Sequence, residues 1–161
     1  MAFTHLDIVK PVEIDTIESD SGRFYVTPTG NHYPSITTIL GHGDKPWLQE
    51  WREGMGQHRA DAEMKRAATR GTAVHAMVEN YLNNHANPTA GHLNEHIADF
   101  MQLRMRLNKV NNIYTQESAL WSDALKVAGR VDCVGEYNGK LSIIDFKTST
   151  NDKNASMIGD Y

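Results

Sequence analysis

The 161-residue chain is predicted to fold as one α/β domain, a mixed, mostly antiparallel sheet flanked by helices. Three observations predict it. Apolar residues recur at helical spacing between residues 46 and 109. The pattern changes to β-rich runs between residues 112 and 148. Asn138-Gly139, between two of those runs, is a strong signal for a two-residue hairpin.

The elements are taken in chain order. Residues 12–18 (VEIDTIE) alternate, and residues 23–27 (RFYVT) continue after Ser21-Gly22, which predicts an N-terminal hairpin. Pro28, Gly30, Asn31 and Pro34 then break the β pattern. Ser35 suits the N-cap of a short helix, SITTIL, that stops at Gly41 and Gly43. Pro46 is a good first helical residue for PWLQEWRE. Trp47 and Trp51 share a face of that helix, as core packing or as a stacking platform for bases. Residues 56–69 read as helix. Arg70-Gly71-Thr72 interrupts it, and Thr72 caps a second run, AVHAMVENYLNN. Val74, Met77, Val78, Tyr81 and Leu82 give that run an apolar face, with His75 and Glu79 on another side. Residues 93–109 form a third helix, with Leu93, Ile97, Phe100 and Leu107 in register. Strands are expected over 112–121, 126–137 and 140–148, and a polar loop from Ser149 to Tyr161.

Composition narrows the class. Apolar content of 40% and charged content of 22% describe a globular chain. The one cysteine, Cys133, excludes a disulfide framework and a cysteine-based zinc site. It reads as a small core residue. No stretch approaches the roughly 20 apolar residues of a membrane span, and the N-terminus lacks a secretory pattern. A cytoplasmic setting, the host's if the chain is viral, is the expectation. The net charge of −4 argues against a passive nucleic-acid coat. Basic stretches at 59–70 and 104–109 still suit a polyanion, or are simply solvated helix faces.

The hairpin carries the chemistry. A two-residue turn sets the register by counting. Glu136 then faces Leu141, Val134 faces Ile143, and Asp132 faces Asp145. Lys147 shares the face of Asp145. Opposed Cβ atoms lie about 4.5–5.5 Å apart, and like charges so placed destabilise a sheet. A cation between the two acids removes that conflict. Flanking Val131, Cys133, Val134, Ile143, Ile144 and Phe146 are apolar, so the strands are expected to be buried on both faces. A hard divalent cation takes carboxylate, carbonyl and water oxygen, which Asp132, Asp145 and the carbonyl of Phe146 can supply. Lys147 beside such an ion suits phosphoryl chemistry. The alternative is a partly exposed hairpin on which Asp145 and Lys147 are neighbours on a wet face.

Strand-Asp, turn, strand-Asp-X-Lys, here GRVDCVGEYNGKLSIIDFKTS over 129–149, resembles the signature of the PD-(D/E)XK nuclease superfamily. RGTAVHAMVENYL, residues 70–82, resembles the RecB-type helix that carries a metal-binding histidine. YPSITTIL and PWLQEW resemble the N-terminal region of the mitochondrial genome maintenance exonuclease family and related bacteriophage exonucleases. The resemblance implies a restriction-endonuclease-like core and a Mg²⁺- or Mn²⁺-dependent DNA exonuclease acting on single strands or ends. It implies His75, Asp132 and Asp145 as metal ligands, Lys147 as the catalytic lysine, and Glu117 as an acid near the metal. It implies Thr148 and Ser149 near the phosphate backbone, and Arg70 as a DNA contact. RecB-type nucleases continue into a further helix and strand. The domain is therefore expected to be C-terminally incomplete, with an uncovered sheet face or edge. Two rivals are a catalytically impaired module that binds nucleic acid or a protein, and an assembly subunit completed by another chain.

Overall fold

The computed structural model describes residues 2–6, 12–41, 43 and 45–149. Its elements are β1 (Asp15–Ser19), β2 (Gly22–Val26), β3 (His32–Pro34), α1 (Ile36–Gly41), α2 (Pro46–Met55), α3 (Gln57–Leu82), α4 (Asn94–Leu107), β4 (Val110–Ser122), β5 (Val127–Tyr137) and β6 (Lys140–Ile144). They form a mixed α/β structure with two antiparallel three-stranded sheets, β1-β2-β3 and β4-β5-β6. The predicted polar loop lies outside the described residues beyond Ser149. No helix among the described residues is long and apolar enough to cross a membrane.

Local chemistry explains most boundaries. Ser35 Oγ accepts the Thr38 N–H at 2.9 Å, which caps α1 as expected. Pro46 sits in the first turn of α2, where its missing N–H has no consequence. Gly56, at φ 83°, breaks the chain between α2 and α3 in a conformation that favours glycine. Asn138 and Gly139, at φ 52° and 75°, make the type I′ turn between β5 and β6.

Three expectations about elements are corrected. The N-terminal hairpin gains a third strand, because β3 pairs with β2 within the stretch where Pro28, Gly30, Asn31 and Pro34 are expected to break the β pattern. Arg70-Gly71-Thr72 does not interrupt a helix, because α3 runs unbroken through it for 26 residues. An interior glycine costs a helix only about 1 kcal/mol, and tertiary packing readily outweighs that. The strand expected over 140–148 ends at Ile144. Asp145, Phe146 and Lys147 therefore leave the ladder.

The main core lies where α3 and α4 cover the β4-β5-β6 sheet. Val74, Met77, Val78 and Leu82 of α3 are fully buried there, with Phe100 and Leu107 of α4. Cys133 and Phe146 meet them from the sheet side. Spacings of three, one and four along α3 are the helical stripe that the sequence displays. A second cluster, Tyr25, Tyr33 and Ala128, packs the N-terminal sheet against β5. The Tyr33 hydroxyl donates to Asp123 at 2.7 Å and fastens that contact.

Burial on both faces does not hold at β6. Leu141 and Ile143 are 69% and 74% exposed on this edge strand. Trp47 is not core either, at 64% exposed. Alternation alone does not reveal which face of an edge strand has a neighbour.

Candidate metal centre

The β5–β6 register matches the count from the turn. Glu136 pairs with Leu141, Val134 with Ile143 and Cys133 with Ile144. Asp132 and Asp145 are next in line, but the ladder stops one pair short of them. Both peptide groups of Phe146 explain the stop. Its N–H donates to Oδ2 of Asp132 at 2.7 Å. Its carbonyl accepts a hydrogen bond from Nε2 of His75 at 2.6 Å. A side chain from β5 and one from α3 thus take the groups that a continued ladder would use.

That carbonyl sets the state of the imidazole. A carbonyl only accepts, so the proton of neutral His75 sits on Nε2 and the lone pair on Nδ1. Nδ1 lies 3.8 Å from Oδ2 of Asp132. The free lone pair and the carboxylate therefore face one another. The ring of Phe146 stands edge-on to His75, with centroids 6.1 Å apart.

Glu117 comes from the third side. In the β4–β5 ladder, Gln116 pairs with Cys133 and Ser118 with Val131, so Glu117 stands opposite Asp132. It occupies this strand position at φ 47°, a left-handed conformation that L-residues with long side chains avoid. Neighbouring polar groups hold the irregularity. The Thr115 and Ser118 hydroxyls hydrogen-bond one another, and Ser118 Oγ donates to the Gln116 carbonyl at 3.0 Å. Gln116 Nε2 donates to Asn83 Oδ1 at 2.8 Å, beyond the end of α3. Strain of this kind clusters at functional sites.

His75, Glu117 and Asp132 each offer a ligand atom, and these atoms lie within 4.8 Å of one another. All three side chains are partly buried. The donors are one imidazole nitrogen and two carboxylates from α3, β4 and β5. This donor set fits a divalent cation. Two carboxylates so close repel, and an ion between them relieves that.

The remaining predicted residues are less convergent. Asp145 and Lys147 form an ion pair of 2.7 Å, with side chains 55% and 69% exposed. Asp145 lies outside the three-residue cluster. The Phe146 carbonyl has a second lone pair besides the one His75 uses. Thr148 lies over α3, where its Oγ1 would be 3.8 Å from a Cβ placed on Gly71. Ser149 is exposed. Arg70 turns away between α3 and α4, with Nε 4.0 Å from Asp99 Oδ2 and only 18% of its side chain exposed.

Arg130 is a neighbour of the cluster to which the sequence assigned no role. Its Nε donates to Glu117 Oε2 at 3.0 Å. Finding it requires the β4–β5 register; Ser122-Asp123 reads as a turn in the sequence, but the turn spans residues 123–126, and the sequence does not fix its length. Cys133, next to Asp132, is fully buried. Burial, and then the Asp132 charge, push its thiol up to about 12. It is a core residue, as expected.

The chain matches no family model. It is similar to mitochondrial genome maintenance exonuclease 1 of Mus musculus, at 31% identity over 131 residues. That match covers 76% of this chain and 39% of the relative. The Homo sapiens protein of the same name is 45% identical over 47 residues, covering 29% of this chain and 14% of the relative. The relationship is distant homology, and the chain spans well under half the length of these relatives.

Proposed function

We propose that this chain is a metal-dependent deoxyribonuclease, an exonuclease that hydrolyses phosphodiester bonds of DNA at ends or on single strands. The observation that carries this reading is the convergence of His75, Glu117 and Asp132 within 4.8 Å. Distant homology to an exonuclease supports it. So does the Asp-turn-Asp-X-Lys pattern, which places the chain in our reading with the PD-(D/E)XK superfamily and its RecB-like and bacteriophage members. The α/β architecture is compatible with a restriction-endonuclease-like core in a single domain. A cytoplasmic setting belongs to the same proposal.

The roles derive from the donors. Asp132, Glu117 and Nδ1 of His75 would hold Mg²⁺ or Mn²⁺, with Asp145 and the Phe146 carbonyl as further ligands. The ion supplies Lewis-acid stabilisation of charge on the scissile phosphate and acidifies water. The Phe146 carbonyl keeps the His75 proton on Nε2, so the ligating lone pair stays on Nδ1. Lys147 brings an ammonium group to the developing negative charge and orients the attacking water. Thr148 and Ser149 offer hydroxyls to the phosphate backbone. Arg70 would serve as a DNA contact only by leaving Asp99, which holds it between α3 and α4.

The test is degradation of end-labelled linear DNA, single- and double-stranded, with Mg²⁺ or Mn²⁺. Wild type is expected to cut, and Asp132→Asn and Lys147→Ala to lose at least about 100-fold, the scale of a lost charge-stabilising group. Cutting that survives both substitutions defeats the assignment. One observation favours a second reading, a module that binds nucleic acid or a protein partner without cutting. Asp145 and Lys147 are tied to each other and exposed, and neither belongs to the three-residue cluster. Metal-dependent DNA binding without hydrolysis is its expected result.

A further inference from the structure

The geometry points to Arg130 as a removable counter-ion: it holds the Glu117 carboxylate until a divalent cation takes it, and then turns to phosphate. This inference rests on the metal-centre reading above.

The cluster places two carboxylates, Glu117 and Asp132, at opposed positions of adjacent strands. Each is compensated differently. Asp132 accepts the Phe146 N–H and faces His75. Glu117 is paired with Arg130, its Oε2 accepting from Nε at 3.0 Å. A guanidinium and a divalent cation compete for the same carboxylate charge, and a fixed positive charge beside a cation site lowers its affinity. The pair is easily opened. Arg130 is 62% exposed, and an ion pair that wet is screened and contributes little to folding. Glu117 is less free to leave, since 30% of its side chain is exposed against 62% for Arg130. The guanidinium is therefore the partner that moves. Once released, it stands on the strand position two residues from Asp132, and its planar donors match a phosphate. Metal entry would in this way create a phosphate contact.

The experiment titrates Mn²⁺ into wild type, Arg130→Gln, Arg130→Lys and Asp132→Asn by calorimetry. Arg130→Gln is expected to bind Mn²⁺ about three- to tenfold more tightly than wild type. Arg130→Lys, which keeps the charge, should stay near wild type. A second arm measures binding of a single-stranded oligonucleotide at saturating Mn²⁺ by fluorescence anisotropy, in a Lys147→Ala background that slows cutting. There Arg130→Gln should bind more weakly and lose about 0.7 from the salt slope, one phosphate contact on a single strand. Unchanged or weaker Mn²⁺ binding in Arg130→Gln overturns the counter-ion role. If wild type then still binds Mn²⁺ better than Asp132→Asn, the metal-centre reading survives. Absence of Mn²⁺ binding to wild type overturns both. An unchanged oligonucleotide affinity and salt slope overturns the turn to phosphate.

Discussion

Asp132 accepts the backbone N–H of Phe146 through Oδ2 at 2.7 Å, so one carboxylate both ends strand β6 and faces the candidate ion. The two duties separate by substitution. Asparagine keeps an acceptor for the N–H but loses the charge. Asp132→Asn should therefore melt within a few degrees of wild type while Mn²⁺ affinity falls by about 10- to 100-fold. Alanine leaves the buried N–H unpaired, and Asp132→Ala should cost about 1–3 kcal/mol. Thermal unfolding and calorimetry on the two variants check this. Equal stability of the variants argues against the structural duty.

The backbone of Glu117 makes a second test. Glycine is normally less stable than alanine in a strand, by about 0.5–1 kcal/mol. At φ 47° the order should reverse, because alanine bears the left-handed penalty and glycine does not. Glu117→Gly is expected to exceed Glu117→Ala in stability by about 0.5–1 kcal/mol, with Mn²⁺ binding weakened in both. Urea unfolding of the pair decides it. The usual order, alanine above glycine, would remove the case for strain at this position.

Cys133 should be inert in the native protein. The thiol is fully buried, and its ionisation is displaced to about 12 by desolvation and then by Asp132. Little thiolate exists at pH 8, and the thiolate is the nucleophile. Iodoacetamide at pH 8 should label the folded chain far more slowly than the chain in denaturant, as measured by mass spectrometry. Comparable rates would show that this part of the core opens.

The hairpin turn sets the register that aligns Asp132 and Asp145 just beyond the Cys133–Ile144 pair. Gly139, at φ 75°, tolerates no β-branched side chain without strain. Gly139→Val should cost about 1–2 kcal/mol and reduce Mn²⁺ affinity if the register slips. Gly30, also left-handed at φ 82° but in a turn of the N-terminal sheet, is the control. Its substitution by valine should lower stability without changing Mn²⁺ affinity. A loss of affinity there equal to that at Gly139 would mean the effect is general destabilisation.

Legibility in the sequence tracked the range of the interaction. Asn138-Gly139 is a local signal, and counting from it reached the right pairs as far as Cys133 and Ile144. The apolar stripe of Val74, Met77, Val78 and Leu82 is also local, and it marked the buried face of α3. The continuity of α3 through Gly71 was hidden, because local propensity at Arg70-Gly71-Thr72 favours a break and the packing of the whole helix overrides it. Arg130 was hidden because its partner Glu117 lies on another strand, across the four-residue turn 123–126, whose sequence does not announce its register as Asn-Gly does.

The sequence by itself determined the Asn138-Gly139 hairpin, the apolar faces of the helices and the residue types of the candidate centre, since turn chemistry and periodicity act within a few residues. Only the tertiary structure decided which of those residues converge. His75 reaches Phe146 across 71 positions of the chain, and Asp132 reaches it across 14. Those two side chains compete with the strand ladder for the peptide groups of Phe146, and they take both. For that reason the cluster is His75, Glu117 and Asp132, while Asp145 stands one residue beyond the end of β6 with Lys147 as its partner.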